Sequence, residues 1–178
     1  MGLHFLRHGE STANVERTFA GQSDSRLTDT GRNQAGEEGE RLDAEDVHFD
    51  VILSSPLSRA KDSADIVAEK IGYPLDEIIV DDLLLERGGG GGEGMPLGEF
   101  FALSESEQIA IGAESFRALG DRAMQLLAKI DQQYPSQEVL LVSHATFGEM
   151  LQAILKYDDY TRILDGEKIP NARTIQLK

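Results

Sequence analysis

The chain has no cysteine and no tryptophan among its 178 residues. Without cysteine there can be no disulfide, no thiolate nucleophile and no cysteine-ligated metal. Basic residues are scarce: 17 Lys and Arg stand against 32 Asp and Glu, a net charge of −15. A surface that acidic repels nucleic acid and anionic membranes, so neither is an expected partner. Long apolar runs are missing too, and none approaches the ~20 residues that a bilayer-spanning helix needs. The N-terminus lacks the charged-then-apolar layout of a secretory signal, so the expected compartment is the cytoplasm. His4 and His48 have no metal-ligand spacing with the other two histidines, which argues against a metal. No Gly-Lys-Ser/Thr follows the one glycine run, Gly88–Gly92, so that run is a poor nucleotide cradle.

What the chain does contain is a regular alternation of short apolar runs and helical periods. The runs Leu3–Leu6, Val51–Leu53, Ile78–Val80 and Val139–Val142 read as strands buried on both faces, and Thr174–Leu177 as a terminal strand. Between them, apolar residues recur at a 3.6 period over 57–71, 114–133 and 146–155. Ser55 reads as an N-cap with Pro56 in the first turn. The stretch 29–44 is a weaker helix, loosened by Gly36 and Gly39, and its acidic residues Glu37, Glu38, Glu40 and Asp43 read as a solvated face. Phe100, Phe101 and Leu103 could form an exposed apolar patch. Length and alternation together predict one domain over 1–178, a three-layer α/β/α sandwich around a mostly parallel sheet.

In such sheets ligands bind at the carboxyl ends of the strands, and several chemically capable residues fall there. Arg7 and His8 follow the first strand, Arg59 lies in the first turn after the second, Glu86 follows the third, and His144 follows the fourth. Singly, each has an ordinary explanation as a solvated or satisfied polar residue. As a set they match what phosphoryl transfer needs without a metal. Guanidinium forks can neutralise the oxygens, helped by helix amides near Ala145. One imidazole can attack phosphorus and another can steady the equatorial charge. A carboxyl can protonate the leaving oxygen and later activate water. Activity should then fall at low pH as His8 gains a proton, and at high pH as Glu86 loses one.

The motifs that carry these residues resemble the histidine phosphatase superfamily, also called phosphoglycerate mutase-like. Leu6-Arg7-His8-Gly9-Glu10-Ser11 with Asn14 resembles the opening motif. Leu27-Thr28, Gly31 and Gln34-Ala35 resemble the next block, and Ser54-Ser55-Pro56-Leu57-Ser58-Arg59-Ala60 resembles the second-arginine motif. Leu141-Val142-Ser143-His144 resembles the second-histidine motif, and Pro170-Asn171-Ala172 the ending. The resemblance implies a metal-independent phosphatase working through a phosphohistidine on His8, with Arg7, Arg59 and His144 holding the phosphate and Glu86 as acid and base. It implies that Asn14, the backbone at Ala20-Gly21 and the turn at Ala145 border the substrate. No cofactor is implied.

Two departures stand out. The glycine run replaces commonly aromatic positions at Gly89 and Gly92, and reads equally as a mobile lid or as a substituted wall. Ala145 stands where glycine is common after the second histidine. The expected substrate is a small phosphorylated metabolite, with a phosphoprotein as an alternative and the oligomeric state left open. A phosphoglycerate-type mutase is the second reading, drawing on Glu114-Ser115 and residues 17–35. The absence of Lys and Arg between 88 and 116 speaks against it. A non-catalytic phospho-ligand binding domain is the third.

Overall fold

A computed structural model describes residues 2–178, and over them the chain alternates strand and helix. In chain order these are β1 (Leu3–Arg7), α1 (Thr12–Glu16), α2 (Asp29–Ala44), β2 (Val51–Ser54), α3 (Ser58–Lys70) and β3 (Ile79–Val80). There follow α4 (Leu97–Ala102), α5 (Glu105–Ala110), α6 (Phe116–Gln133), β4 (Val139–Ser143), α7 (Ala145–Tyr157) and β5 (Thr174–Gln176). The strands form one sheet in the order β3-β2-β4-β1-β5, parallel except for β5 at one edge.

The period-2 alternation of the central strands sorts their side chains into two cores. Leu3, Phe5, Val51, Leu53, Val139 and Leu141 face α6 and α7, whose Leu119, Ala123, Leu126, Phe147 and Met150 close over them. Leu6, Ile52, Leu140 and Val142 face the other way, against Ala35 and Leu42 of α2 and Ala60, Ala64, Val67 and Ala68 of α3. The three-layer α/β/α sandwich read from the sequence is therefore the observed architecture. Among the described residues no helix is long and apolar enough to cross a membrane.

Several local expectations change. The third strand is shorter than the apolar run suggested and is not buried: Ile79 and Val80 are both exposed, because β3 is the outer strand. Helix α3 starts at Ser58 with Leu57 as its N-cap, not at Ser55-Pro56. The Ser55 hydroxyl is engaged elsewhere, as described below. Helix α2 is intact over 16 residues. Its Gly39 sits against α3, where a Cβ would come within 2.7 Å of Lys70 Cβ, so the glycine brings the two helices close instead of loosening one. Glu38 is not solvated either. Its carboxylate is buried, accepts bonds from Arg41 at 2.8 Å and from the Thr174 N–H at 2.7 Å, and ties α2 to β5. Phe100 is fully buried, stacked on Phe19 with ring centroids 4.0 Å apart, which leaves Phe101 as the exposed ring of that group.

Candidate active site

Two neighbouring parallel strands bring the histidines together. In the β1–β4 register Arg7 is paired with Ser143, so the next residue on each strand is His8 and His144. The His8 N–H donates to the Ser143 carbonyl at 3.0 Å, and the two imidazoles meet edge to face with centroids 5.2 Å apart. Arg59 arrives from the first turn of α3 and Glu86 from the loop beyond β3, past a short 3-10 turn at Asp82–Leu84.

His8 is buried, and its Nδ1 lies 2.7 Å from the carbonyl oxygen of Gly9. A carbonyl only accepts, so Nδ1 carries the proton and Nε2 presents a lone pair. Burial, and then the Arg59 charge, push the imidazole down to about 3, with Arg7 adding to the same effect. The ring is neutral, and so nucleophilic, at any ordinary pH.

The guanidinium groups of Arg7 and Arg59 are both held by backbone carbonyls. Arg7 donates to Ile169 at 2.8 Å, and Arg59 donates to Gly21 at 2.7 Å and Ser23 at 3.0 Å. Burial works against both charges, and the Glu86 carboxylate supports both. An arginine does not deprotonate under such pressure. Two cations, Arg59 buried and Arg7 half-buried, therefore face one small space, and an anion there would relieve both. The Nε of Arg7 is buried without a partner among the described residues.

His144 is wholly buried, and its Nε2 lies 2.8 Å from Ser55 Oγ. This is where the Ser55 hydroxyl is engaged. The other ring nitrogen, Nδ1, has no partner among the described residues. Burial first, then Arg59 and His8, hold this imidazole well below its usual range.

Glu86 performs a second task that the sequence did not suggest. Its Oε1 accepts from the N–H groups of Arg87 at 2.8 Å and Phe147 at 3.1 Å, and its Oε2 accepts from Thr146 at 3.1 Å. Thr146 and Phe147 are in the first turn of α7, whose N-cap residue His144 makes no side-chain cap. A carboxyl from the loop beyond β3 thus caps the helix. The expectation of several helix amides for a phosphate narrows accordingly to the Ala145 N–H. Ala145 is not among the residues with positive φ, so its methyl is accommodated. Despite three N–H donors and Arg59 nearby, burial dominates and raises the Glu86 carboxyl above its ordinary range.

These side chains border a cavity of about 240 Å³. Arg7, His8, Arg59, Glu86, Asn14, Gly21 and Ala145 line it, while His144 is not part of the lining and meets the cavity only through its edge-to-face contact with His8. The Asn14 amide oxygen already accepts from the Ser11 N–H at 3.0 Å and Asn171 at 3.3 Å, which leaves its amide N–H groups as the end for a ligand. The outer wall holds Thr18, Phe19, Leu97 and Phe101. Glu149 and Lys168 also line it and were not singled out. Glu149 lies one helical turn beyond Ala145, a spacing that could have revealed it, whereas nothing in the sequence pointed to Lys168.

The glycine run packs in behind Phe19. A Cβ at Gly92 would lie 2.5 Å from the Phe100 ring, and one at Gly90, where φ is +55°, 2.3 Å from the Gly112 carbonyl carbon. At Gly89, Gly90 and Gly92 the space that a side chain would fill is already taken by neighbours, a close-packing role that neither sequence reading anticipated.

Comparison with known proteins is consistent with this geometry. The family profile of the histidine phosphatase superfamily (branch 1) matches residues 3–173. A Bacillus subtilis protein named uncharacterized phosphatase PhoE is 39% identical over 150 residues, covering 84% of this chain and 73% of that one. A metal-independent phosphoserine phosphatase of Arabidopsis thaliana is 34% identical over 178 residues, covering 94% and 71%. Among solved structures, a mycobacterial glucosyl-3-phosphoglycerate phosphatase complexed with VO3 superposes with a TM-score of 0.83 at 28% identity, covering 98% of this chain and 91% of that one.

Proposed function

The chain belongs to the histidine phosphatase superfamily and hydrolyses phosphomonoesters, and from that premise we propose that it does so through a phosphohistidine on His8. Arg7 and Arg59 hold the phosphoryl oxygens, assisted by His144 and the Ala145 N–H. The Nε2 lone pair attacks phosphorus in line as the ester bond breaks, and Glu86 gives its proton to the departing oxygen. Water then enters. Glu86, now ionised, takes its proton, the hydroxyl oxygen bonds to phosphorus, and the N–P bond breaks to return His8 and inorganic phosphate. No metal enters any step.

One observation carries this reading. A neutral imidazole, with its proton fixed on Nδ1 by the Gly9 carbonyl, lines a cavity shared with the guanidinium groups of Arg7 and Arg59. Asn14 and Gly21 border the substrate. The whole of residues 1–178 works as one domain, in the cytoplasm, on a small phosphorylated metabolite. The substrates in the relatives' names, phosphoserine and glucosyl-3-phosphoglycerate, are small phosphate esters of this sort. Hydrolysis is favoured over mutase-type transfer because 88–116 contains no Lys or Arg to hold a second acidic group.

The test is phosphate release from a panel of esters with chelator present, for the wild type and His8→Ala, together with trapping of an acid-labile phosphoenzyme. Chelator-resistant turnover and labelling, both lost in His8→Ala, are expected. Turnover that survives in His8→Ala would overturn the assignment.

A further inference from the structure

The mechanism leaves Glu149 unused, yet this carboxylate faces the same cavity. It lies on α7, one turn beyond Ala145, and is only 8% exposed. Its Oε1 accepts from Lys168 Nζ at 2.9 Å. Its Oε2 has no hydrogen bond among the described residues, yet is not sealed from the cavity. Lys168, by contrast, reaches in from a surface loop with its side chain 80% exposed. One partner is enclosed and the other is solvated.

A nearly buried carboxylate needs a cation. Arg7 and Arg59 are the other basic residues lining the cavity, and a phosphoryl dianion would occupy both. With substrate bound, Glu149 therefore faces the leaving group with only a flexible, solvated lysine to balance it. An anionic leaving group would be repelled here, and again by the −15 charge of the chain outside. A cationic one would meet a preformed acceptor in a water-poor site.

Resting on the phosphatase reading of this site, we propose that Glu149 is a specificity-determining residue that selects phosphomonoesters whose leaving group carries an ammonium, the phosphorylated amino alcohols. The amine takes the free Oε2 or displaces Lys168 from Oε1. Lys168 is a competitor for the carboxylate, not a reader of substrate.

The test compares two esters of equal length, phosphoethanolamine and 2-hydroxyethyl phosphate, which differ in an ammonium against a hydroxyl. Because their ratio of kcat/KM is read within each variant, general damage to the enzyme cancels. In the wild type the amine is expected to be favoured at least about tenfold, the worth of one charge-assisted hydrogen bond. Glu149→Gln should bring the ratio to near one, and Lys168→Ala should raise it above wild type. A wild-type ratio near one, with both esters turned over, overturns the proposal and leaves the phosphatase reading standing. So does a ratio that Glu149→Gln leaves unchanged, the result expected if Glu149 only balances Arg7. A preference for 3-phosphoglycerate over both esters that disappears in Lys168→Ala overturns it in favour of a lysine reader. Failure to turn over any ester, p-nitrophenyl phosphate included, would overturn the phosphatase reading and this proposal with it.

Discussion

Ser55 Oγ lies 2.8 Å from Nε2 of His144, and the Leu57 N–H donates to that same oxygen at 3.4 Å. The serine oxygen keeps a second acceptor site, so its hydroxyl fits either tautomer of the ring. A phosphoryl oxygen at Nδ1, the buried nitrogen without a partner among the described residues, selects the tautomer with the proton on Nδ1 and Ser55 donating to Nε2. A neutral His144 can therefore donate to a phosphoryl oxygen without being charged. Ser55→Ala removes the donor to Nε2 in this tautomer. We expect kcat to fall about ten- to a hundredfold, with a smaller change in KM, because a donor is misdirected and not deleted. Steady-state kinetics on p-nitrophenyl phosphate measure the split, and an unchanged kcat would show that the serine plays no part.

The pH profile follows from two opposed shifts. His8 must be neutral, and it is so above about 3. Glu86 must be protonated, and burial raises its carboxyl, extending the protonated range upward. In kcat/KM the His8 limb should therefore lie below about pH 4, far from the ordinary imidazole range, and the alkaline limb should follow Glu86. Glu86→Gln should abolish the alkaline limb. It should also lower kcat/KM for alkyl phosphates by roughly 10²–10⁴, and much less for p-nitrophenyl phosphate, whose leaving group needs no acid. Equal losses on both substrate types would remove Glu86 from the proton-donor role.

The sandwich and most of the site were readable because they depend on local signals. Apolar runs such as Val139–Val142 and the 3.6 period of Leu119, Ala123 and Leu126 reflect burial directly. A residue directly after a strand, such as His8 or His144, goes where its strand takes it. What could not be read depends on contacts between distant segments. Ser55 looks like a helix cap in isolation, and only the packing of β2 against β4 gives its hydroxyl to His144. Glu86 looks like a lone acid until α7 brings two N–H groups to it. Glu38 looks solvated until β5 returns to cover it. The burial of Arg59 and His8, and hence their electrostatics, likewise comes from chain far away in sequence.

The glycine run gives a contrast between positions. At Gly92 a methyl would press on the Phe100 ring at 2.5 Å, and at Gly90 it would meet backbone in a left-handed conformation. At Gly88 the nearest atom would be the flexible Gln22 amide at 3.6 Å. Gly92→Ala is expected to destabilise by about 1–3 kcal/mol through overpacking. Gly88→Ala should be neutral or stabilising by up to about 1 kcal/mol, through the lower entropy of its unfolded chain. Urea melts of the two variants measure this. Equal effects would mean that the run is loosely packed.

Buried, uncharged His8 also bears on stability in acid. In the unfolded chain the imidazole binds a proton below 6.5, and in the folded chain only below about 3. Between those values unfolding takes up a proton that the native state refuses, so stability rises with pH across the window and is lost as pH falls through it. Ordinary carboxylates titrate below about pH 5, so from there to 6.5 the histidines are opposed only by Glu86, whose raised carboxyl releases a proton on unfolding in both proteins. His144 is depressed in the same direction and contributes a second proton. His8→Asn removes one of the two. The slope of unfolding free energy against pH should then shrink by up to about 1.4 kcal/mol per pH unit, whatever the variant does to absolute stability. Urea melts at a series of pH values give this slope. If it is the same in both proteins, the imidazole is already protonated in the native state. Nε2 would then lack the lone pair on which nucleophilic attack depends.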